Sequence, residues 1–407
     1  MLDAVEYIQS IPPFTYPLGN DNLIKLLNAL GTPQKDLEFV HIVGTNGKGS
    51  TAAMTSSVLI AQGYKVGVFT SPYLIEFNER IRINRENIPD SELCKVTEAV
   101  KKAMEETGAY VSQFAFILAC AFLYYKQEKV DIVVLEAGMG GRLDATNVIE
   151  ESLVSVIMSV GLDHTDYLGS TVEEIAAEKC GIIKNKGCVV AYRNSDSVNS
   201  VIKDFSQRMG AKLYFADPAE PCENGAAING IEYSLSLEGV FQAKNAAVVL
   251  KIIECIKAKG YKISDKAIKD GLSGCVWRAR FEMVRNNLIV DGGHNPDGVR
   301  AMCESVKRIK GRKLAVVAMM EDKDVTECMH LIGDTFDEII VTELPFPRCM
   351  RAVKLFELVQ CKDGGRVIAD MHKAFKEASD YDGAVAVVCG SIYLAGEALK
   401  VYDSMLD

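Results

Sequence analysis

The chain has 407 residues, 48% of them hydrophobic and 25% charged, with a formal net charge of −10. That length suits two domains, the composition is that of an ordinary globular protein, and the acidic balance argues against non-specific nucleic-acid binding. Apolar stretches fall short of a membrane span, the start Met1-Leu2-Asp3-Ala4-Val5-Glu6 lacks the basic-then-apolar order of a signal peptide, and twelve irregularly spaced cysteines without a C-x-x-C suit reduced thiols, so a cytoplasmic protein is expected.

The first strong signal is a strand predicted over 38–43 that runs into Gly44-Thr45-Asn46-Gly47-Lys48-Gly49-Ser50-Thr51, with a helix predicted over 50–62. Strand, glycine-rich loop and helix start, in that order, can hold a nucleoside triphosphate. Glycines let backbone N–H groups turn toward phosphates without side-chain obstruction. Lys48 adds a point charge for the terminal phosphates, and Ser50 or Thr51 a hydroxyl. The run departs from G-x-x-x-x-G-K-[ST], because Ile42 stands at the first glycine and Gly49 separates Lys48 from Ser50.

A strand over 66–70, helices over 90–106 and 113–127 and a strand over 130–136 follow. The last strand delivers Glu136 to its C-terminal end, the edge where open α/β sheets bind ligands, and a carboxylate beside a phosphate loop suits Mg²⁺. The next residues, Ala137 to Asn147, are glycine-rich but fail G-x-G-x-x-G at Leu143. Past a strand over 153–159, His164 sits beside Asp163 and Asp166, where a neutral ring nitrogen could ligate a metal. A helix over 171–182 carries Lys179, which is either a solvated charge or a desolvated amine able to take up CO₂ as a carbamate. Beyond a strand over 188–192, the short alternating runs of 212–240 predict antiparallel hairpins at the edge of the first domain, followed by a helix over 243–259.

A second α/β series has strands predicted at 287–291, 313–318, 337–342, 366–369 and 384–389. No proline- or glycine-rich linker precedes it, so a short hinge near 277–284 should join domains 1–280 and 281–407. Asp291 ends a strand before Asn295-Pro296, where it could accept from a ribose hydroxyl. Arg278 and Arg280, in Trp277-Arg278-Ala279-Arg280-Phe281-Glu282, could reach phosphates.

In order along the chain, GTNGKGST (44–51), TSPYL (70–74), LEAGMGGRLDATN (135–147), GLDHTDYLG (161–169), EKCGIIK (178–184), FQAKNA (241–246), WRARFE (277–282), DGGHNP (291–296) and GSIYLAGE (390–397) resemble the folylpolyglutamate synthase/dihydrofolate synthase family, a branch of the Mur ligase superfamily. The resemblance implies a P-loop ATPase domain with a mostly parallel sheet and a smaller Rossmann-like C-terminal domain. It implies an ATP-dependent amide ligase that joins L-glutamate to folate or dihydropteroate through an acyl phosphate. By the same resemblance, Thr45, Asn46, Gly47, Lys48, Gly49 and Ser50 would bind ATP, with Asn245, Arg280 and Asp291 contacting it across a domain cleft. Ser71, Glu136 and His164 would hold Mg²⁺, Lys179 would be carbamylated, and His294 would take part in a role not assigned. Phe114, Asp144 and Ala145 would meet the pterin. A K⁺ requirement and a monomeric state are further expectations of the resemblance, while the acidic charge and the short apolar runs predict no nucleic-acid or membrane partner.

The chain departs from the family pattern in three places: Ala115 stands where an acid is common, Gly293 where alanine is usual, and Arg278-Ala279 where Pro-Gly is common. The change at Ala115 leaves open a ligase for a different carboxylate; a nucleotide-binding protein without ligase activity is a third reading, which the intact metal and hinge motifs argue against.

Overall fold

The structure, a computed structural model, describes residues 3–13, 19–285, 287–361 and 363–404. It divides into two compact units: Met1–Glu220 with Ala226–Ser234 and Lys244–Cys275, and Val276–Asp407 with Pro221–Gly225 and Leu235–Ala243.

The first unit contains β1 (Phe39–Val43), β2 (Val66–Phe69), β3 (Ile81–Ile83), β4 (Glu86–Asn87), β5 (Ile132–Glu136), β6 (Val154–Ile157), β7 (Cys188–Ala191) and β8 (Lys212–Phe215). They build one sheet in the order β4-β3-β2-β5-β1-β6-β7-β8. The strands from β2 to β8 in that order pair in parallel, and β3 and β4 add an antiparallel edge. Strands buried on both faces need apolar residues throughout, and every residue of β1, β2, β5 and β6 is buried.

The helix Gln113–Gln127 is apolar around most of its surface and is correspondingly buried. Its Phe122 meets Phe39 of β1 edge to face, and its Tyr125 hydroxyl donates to the Val68 carbonyl of β2. The helix Lys48–Gln62 starts two residues earlier than predicted. Gly47, at φ 83°, turns the chain directly into it.

The expectation for 212–240 is corrected in its first part. Residues Lys212–Phe215 join the main sheet in parallel with β7, through a helix at Asp196–Arg208 that is not among the predicted elements. That helix is capped by the Ser195 side chain and supplies the crossover a parallel pair requires. The remainder forms a three-stranded sheet of β9 (Ala219–Cys222), β10 (Gly225–Ile228) and β11 (Ile231–Ser234).

The second unit contains β12 (Glu282–Arg285), β13 (Leu288–Val290), β14 (Lys313–Val317), β15 (Glu338–Glu343), β16 (Gly365–Asp370) and β17 (Val385–Cys389), ordered β12-β13-β17-β14-β15-β16. All pairs are parallel except β12 with β13, an antiparallel edge the sequence reading did not include. Among the described residues, no helix is long and apolar enough to cross a membrane.

Candidate active site

In the first unit, β1, β2, β5 and β6 run in parallel, so the residues that follow them emerge at one edge of the sheet. The phosphate-loop candidate follows β1. Thr45 donates its backbone N–H to the Ser159 carbonyl at 2.7 Å, and its hydroxyl both donates to and accepts from the Gly161 backbone. The Ser159 hydroxyl donates to the Asn46 carbonyl. The loop is therefore fixed by the segment after β6 before any ligand arrives. The Lys48 ammonium donates to the Gly44 and Thr45 carbonyls, and Gly49 and Ser50 are buried in the first turn of the helix. A β-carbon on Gly47 would lie 2.8 Å from the Asn245 side-chain oxygen, so Asn245, in the first turn of the helix Gln242–Ala258, packs directly on the loop.

Ser71, after β2, donates its backbone N–H to Glu136 at the end of β5, and the Glu136 carboxylate is buried. A buried carboxylate beside a serine is a hard oxygen donor set that fits a divalent cation of the Mg²⁺ kind. His164 caps the short helix Thr165–Leu168 in a left-handed conformation, its ring partly exposed and near Asp163. Among the described residues, no three His, Cys, Asp or Glu side chains cluster as a metal site.

Lys179 is 3% exposed near the end of the helix Val172–Cys180. Burial, and then the Lys48 ammonium, push its amine down to about 7, while Asp163 and Asp144 pull the other way. The structure thus gathers Lys48, Lys179, Asp163 and Asp144 in one electrostatic neighbourhood. Asp163 was in the motif read from the sequence, but only its neighbour His164 was singled out there.

The loop after β5 is stitched to the Lys179 helix. Arg142 donates its backbone N–H to the Glu178 carbonyl and pairs with the Glu178 carboxylate, and Asn147 donates to the Arg142 and Gly181 carbonyls. Lys184 closes the loop from below, donating to Asn147 and to the Ile149 carbonyl, and burial lowers its amine to about 8. Asp144 is buried, and its carboxylate accepts from Met139 N–H and from Thr146. Desolvation raises its pKa and those hydrogen bonds oppose the rise. Phe114 stands edge to face with Phe69 and presses its ring onto Gly138, and Ala145 is partly buried against the same core. Ala115 is buried in that core, where a carboxylate would need a partner.

In the second unit, Asp291 follows β13 and is buried. It accepts backbone N–H groups from Phe281 and Gly293, and burial raises its pKa against the opposing Arg280 charge. The Arg280 guanidinium lies against Gly292, and the His294 ring against the Gly292 carbonyl. Ala279 and Phe281 both take positive φ, 55° and 56°, on either side of Arg280. The reading of Arg278 as a phosphate contact is corrected. Its guanidinium is held by Glu282 and forms two bonds to Asp403, so three of its five N–H donors are engaged within the fold.

A family model for the Mur ligase middle domain matches residues 42–253, and one for the Mur ligase glutamate ligase domain matches 279–392. The chain is 33% identical to the dihydrofolate synthase/folylpolyglutamate synthase of Bacillus subtilis, over 98% of each chain. It is 31% identical to the protein of that name from Escherichia coli, over 98% of this chain and 95% of that one. Among solved structures, E. coli FolC in complex with DHPP and ADP superposes with a TM-score of 0.87 at 29% identity, over 99% of this chain and 97% of that one. The bifunctional folylpolyglutamate synthase/dihydrofolate synthase of Yersinia pestis, complexed with AMPPNP and Mn ion, gives 0.88 at 30% identity, over 98% and 97%.

Proposed function

The chain belongs to the Mur ligase family, in its folylpolyglutamate synthase/dihydrofolate synthase branch, and on that premise we propose how its residues carry out ATP-dependent addition of L-glutamate to folate-type carboxylates. The acceptors are tetrahydrofolate and dihydropteroate. A carboxylate oxygen of the acceptor attacks the γ-phosphorus of ATP, ADP leaves, and an acyl phosphate forms. The glutamate amine then attacks the acyl carbon, inorganic phosphate leaves, and the amide results.

One observation carries this reading: the phosphate loop, the Ser71–Glu136 pair and the buried Lys179 meet at one edge of a parallel sheet. Backbone N–H groups of Gly47 to Ser50 cradle the phosphates, and Lys48 turns from the loop carbonyls to offset charge on the transferred group. Ser71, Glu136 and His164 would hold Mg²⁺, which when bound supplies positive charge to the phosphate oxygens. With its amine pushed down to about 7, the neutral form of Lys179 adds to CO₂ and gives up a proton to solvent, leaving a carbamate anion where a cation would be repelled by Lys48. Asn245 orients the nucleotide from its place on Gly47. Arg280 and Asp291 are further nucleotide contacts in this reading, and His294 takes part in a role not assigned. Phe114, Asp144 and Ala145 shape the acceptor site. The protein works as a cytoplasmic monomer at the domain division 1–280 and 281–407, with K⁺ as a further requirement.

The test is ATP-dependent incorporation of labelled L-glutamate with each acceptor. Product with both establishes the reading, and no product with either folate-type acceptor overturns it.

A further inference from the structure

His41 lies in the middle of β1, three residues before the phosphate loop, and is wholly buried. An apolar residue would fill that place in an apolar strand at lower cost, since a buried polar group must find partners. His41 has one: its Nε2 is 2.8 Å from the Thr146 hydroxyl oxygen. The Thr146 hydroxyl in turn donates to Asp144, whose same oxygen also accepts the Thr146 backbone N–H. A hydroxyl has one proton, and here it is given to the carboxylate. The contact with His41 must therefore be accepted by Thr146, which places the ring proton on Nε2. Nδ1 is buried with no partner among the described residues, as suits a bare lone pair and not a second N–H. Burial, with Lys184 nearby, holds the ring neutral.

We propose that His41 is a positioning residue for the acceptor side of the site, acting through Thr146 on Asp144 as a permanently neutral Nε2–H donor. The proposal rests on the reading that Asp144 and its loop shape the folate-type acceptor site. The chain of bonds runs from the strand that feeds the phosphate loop to the loop that follows Glu136. Met139 N–H on the second Asp144 oxygen completes it, so donors reach both carboxylate oxygens and set their plane. His41 thus ties the placement of the acceptor to the placement of the phosphates from beneath the sheet edge, without touching either substrate.

Three variants of the full chain test it. His41→Leu and Thr146→Val each remove one bond of the relay, and His41→Gln restores a side-chain N–H near the Nε2 position. The acceptor KM should rise on the order of 10-fold in the first two. The ATP KM should stay within about 2-fold, with His41→Gln closer to the wild type than His41→Leu. If His41→Leu does not fold, Thr146→Val carries the kinetic arm alone. Nitrogen NMR of labelled wild-type protein should show the His41 ring as the Nε2–H tautomer. An Nδ1–H tautomer, equal changes in both KM values, no change in either, or a glutamine variant no better than leucine would each overturn the proposal. Wild-type protein that turns over no folate-type acceptor would instead overturn the functional reading, and the NMR result would still report on the relay.

Discussion

Gly141 packs its backbone against that of Lys179 so closely that a β-carbon on the glycine would fall 2.8 Å from the Lys179 carbonyl oxygen and 2.9 Å from its α-carbon. This contact joins the loop after β5 to the end of the helix that carries the buried lysine. Gly141→Ala should push the two apart, because backbone atoms cannot yield as a flexible side chain would. The strain is about 1–3 kcal/mol for overpacking of this kind. Melting should drop by a few degrees, and turnover should fall well beyond the fraction unfolded; a variant with wild-type turnover would show that the placement of Lys179 is not critical.

Lys179 carries a pH signature. Burial and the Lys48 ammonium push its amine down to about 7 in the fold, from the 10.5 of a free lysine side chain in the unfolded chain. Between those values the unfolded chain binds the extra proton, so stability rises with pH through that window; below about 7 both states are protonated and the full cost of the buried charge remains. Lys179→Met should flatten the dependence of melting temperature on pH while abolishing most activity. A parallel pH slope in wild type and variant would contradict the buried, uncarbamylated amine. Carbamylation removes the titrating amine, so the slope in wild type should weaken on adding bicarbonate, and activity should fall in CO₂-depleted buffer.

Lys48→Ala should reduce turnover by at least about 100-fold, the scale of losing one preorganised charge stabiliser. The protein should still fold, because the bonds from the ammonium to the Gly44 and Thr45 carbonyls lie within the loop itself. Stopped turnover in a folded variant, checked by circular dichroism, is the expected pattern.

Glu136→Gln should raise the divalent-cation concentration needed for half-maximal rate. The amide keeps the shape beside Ser71 but lacks the charge a hard cation needs. An unchanged cation titration would mean that Glu136 serves the fold alone.

Arg278 and Arg280 should separate cleanly. Arg278→Ala breaks partly exposed pairs to Glu282 and Asp403 and should cost about 1 kcal/mol of stability with little effect on the ATP KM. Arg280→Ala should raise the ATP KM with little effect on melting. The reverse assignment would follow if the two outcomes were exchanged.

Much of this molecule was readable from sequence because its signals are periodic or local. Parallel strands buried on both faces read as apolar runs, and β1, β5 and β17 fall where those runs are. The phosphate loop announces itself by glycines at fixed spacing. What escaped depends on contacts distant in sequence. The helix Asp196–Arg208 has only four large apolar residues, Val198, Val201, Ile202 and Phe205, set among polar ones, and its capping serine was the available signal. The β12 strand is an edge strand with mixed burial and no clean alternation. By residue type alone Arg278 and Arg280 could both reach phosphates, and the family resemblance favours Arg280. Only the fold shows that Asp403, 125 positions away, occupies the first. His41 lies inside the strand predicted over 38–43, and a lone polar residue in a buried strand is the clue to its bond with Thr146. The depressed amine of Lys179 follows from three-dimensional burial beside Lys48 and had no counterpart in spacing.

The most direct test of the central claim is phosphate release with ATP, Mg²⁺ and L-glutamate, run separately with dihydropteroate and tetrahydrofolate. The account predicts acceptor-dependent release with both, matched mole for mole by glutamate incorporated. Release with neither acceptor, from protein that binds ATP, would contradict it.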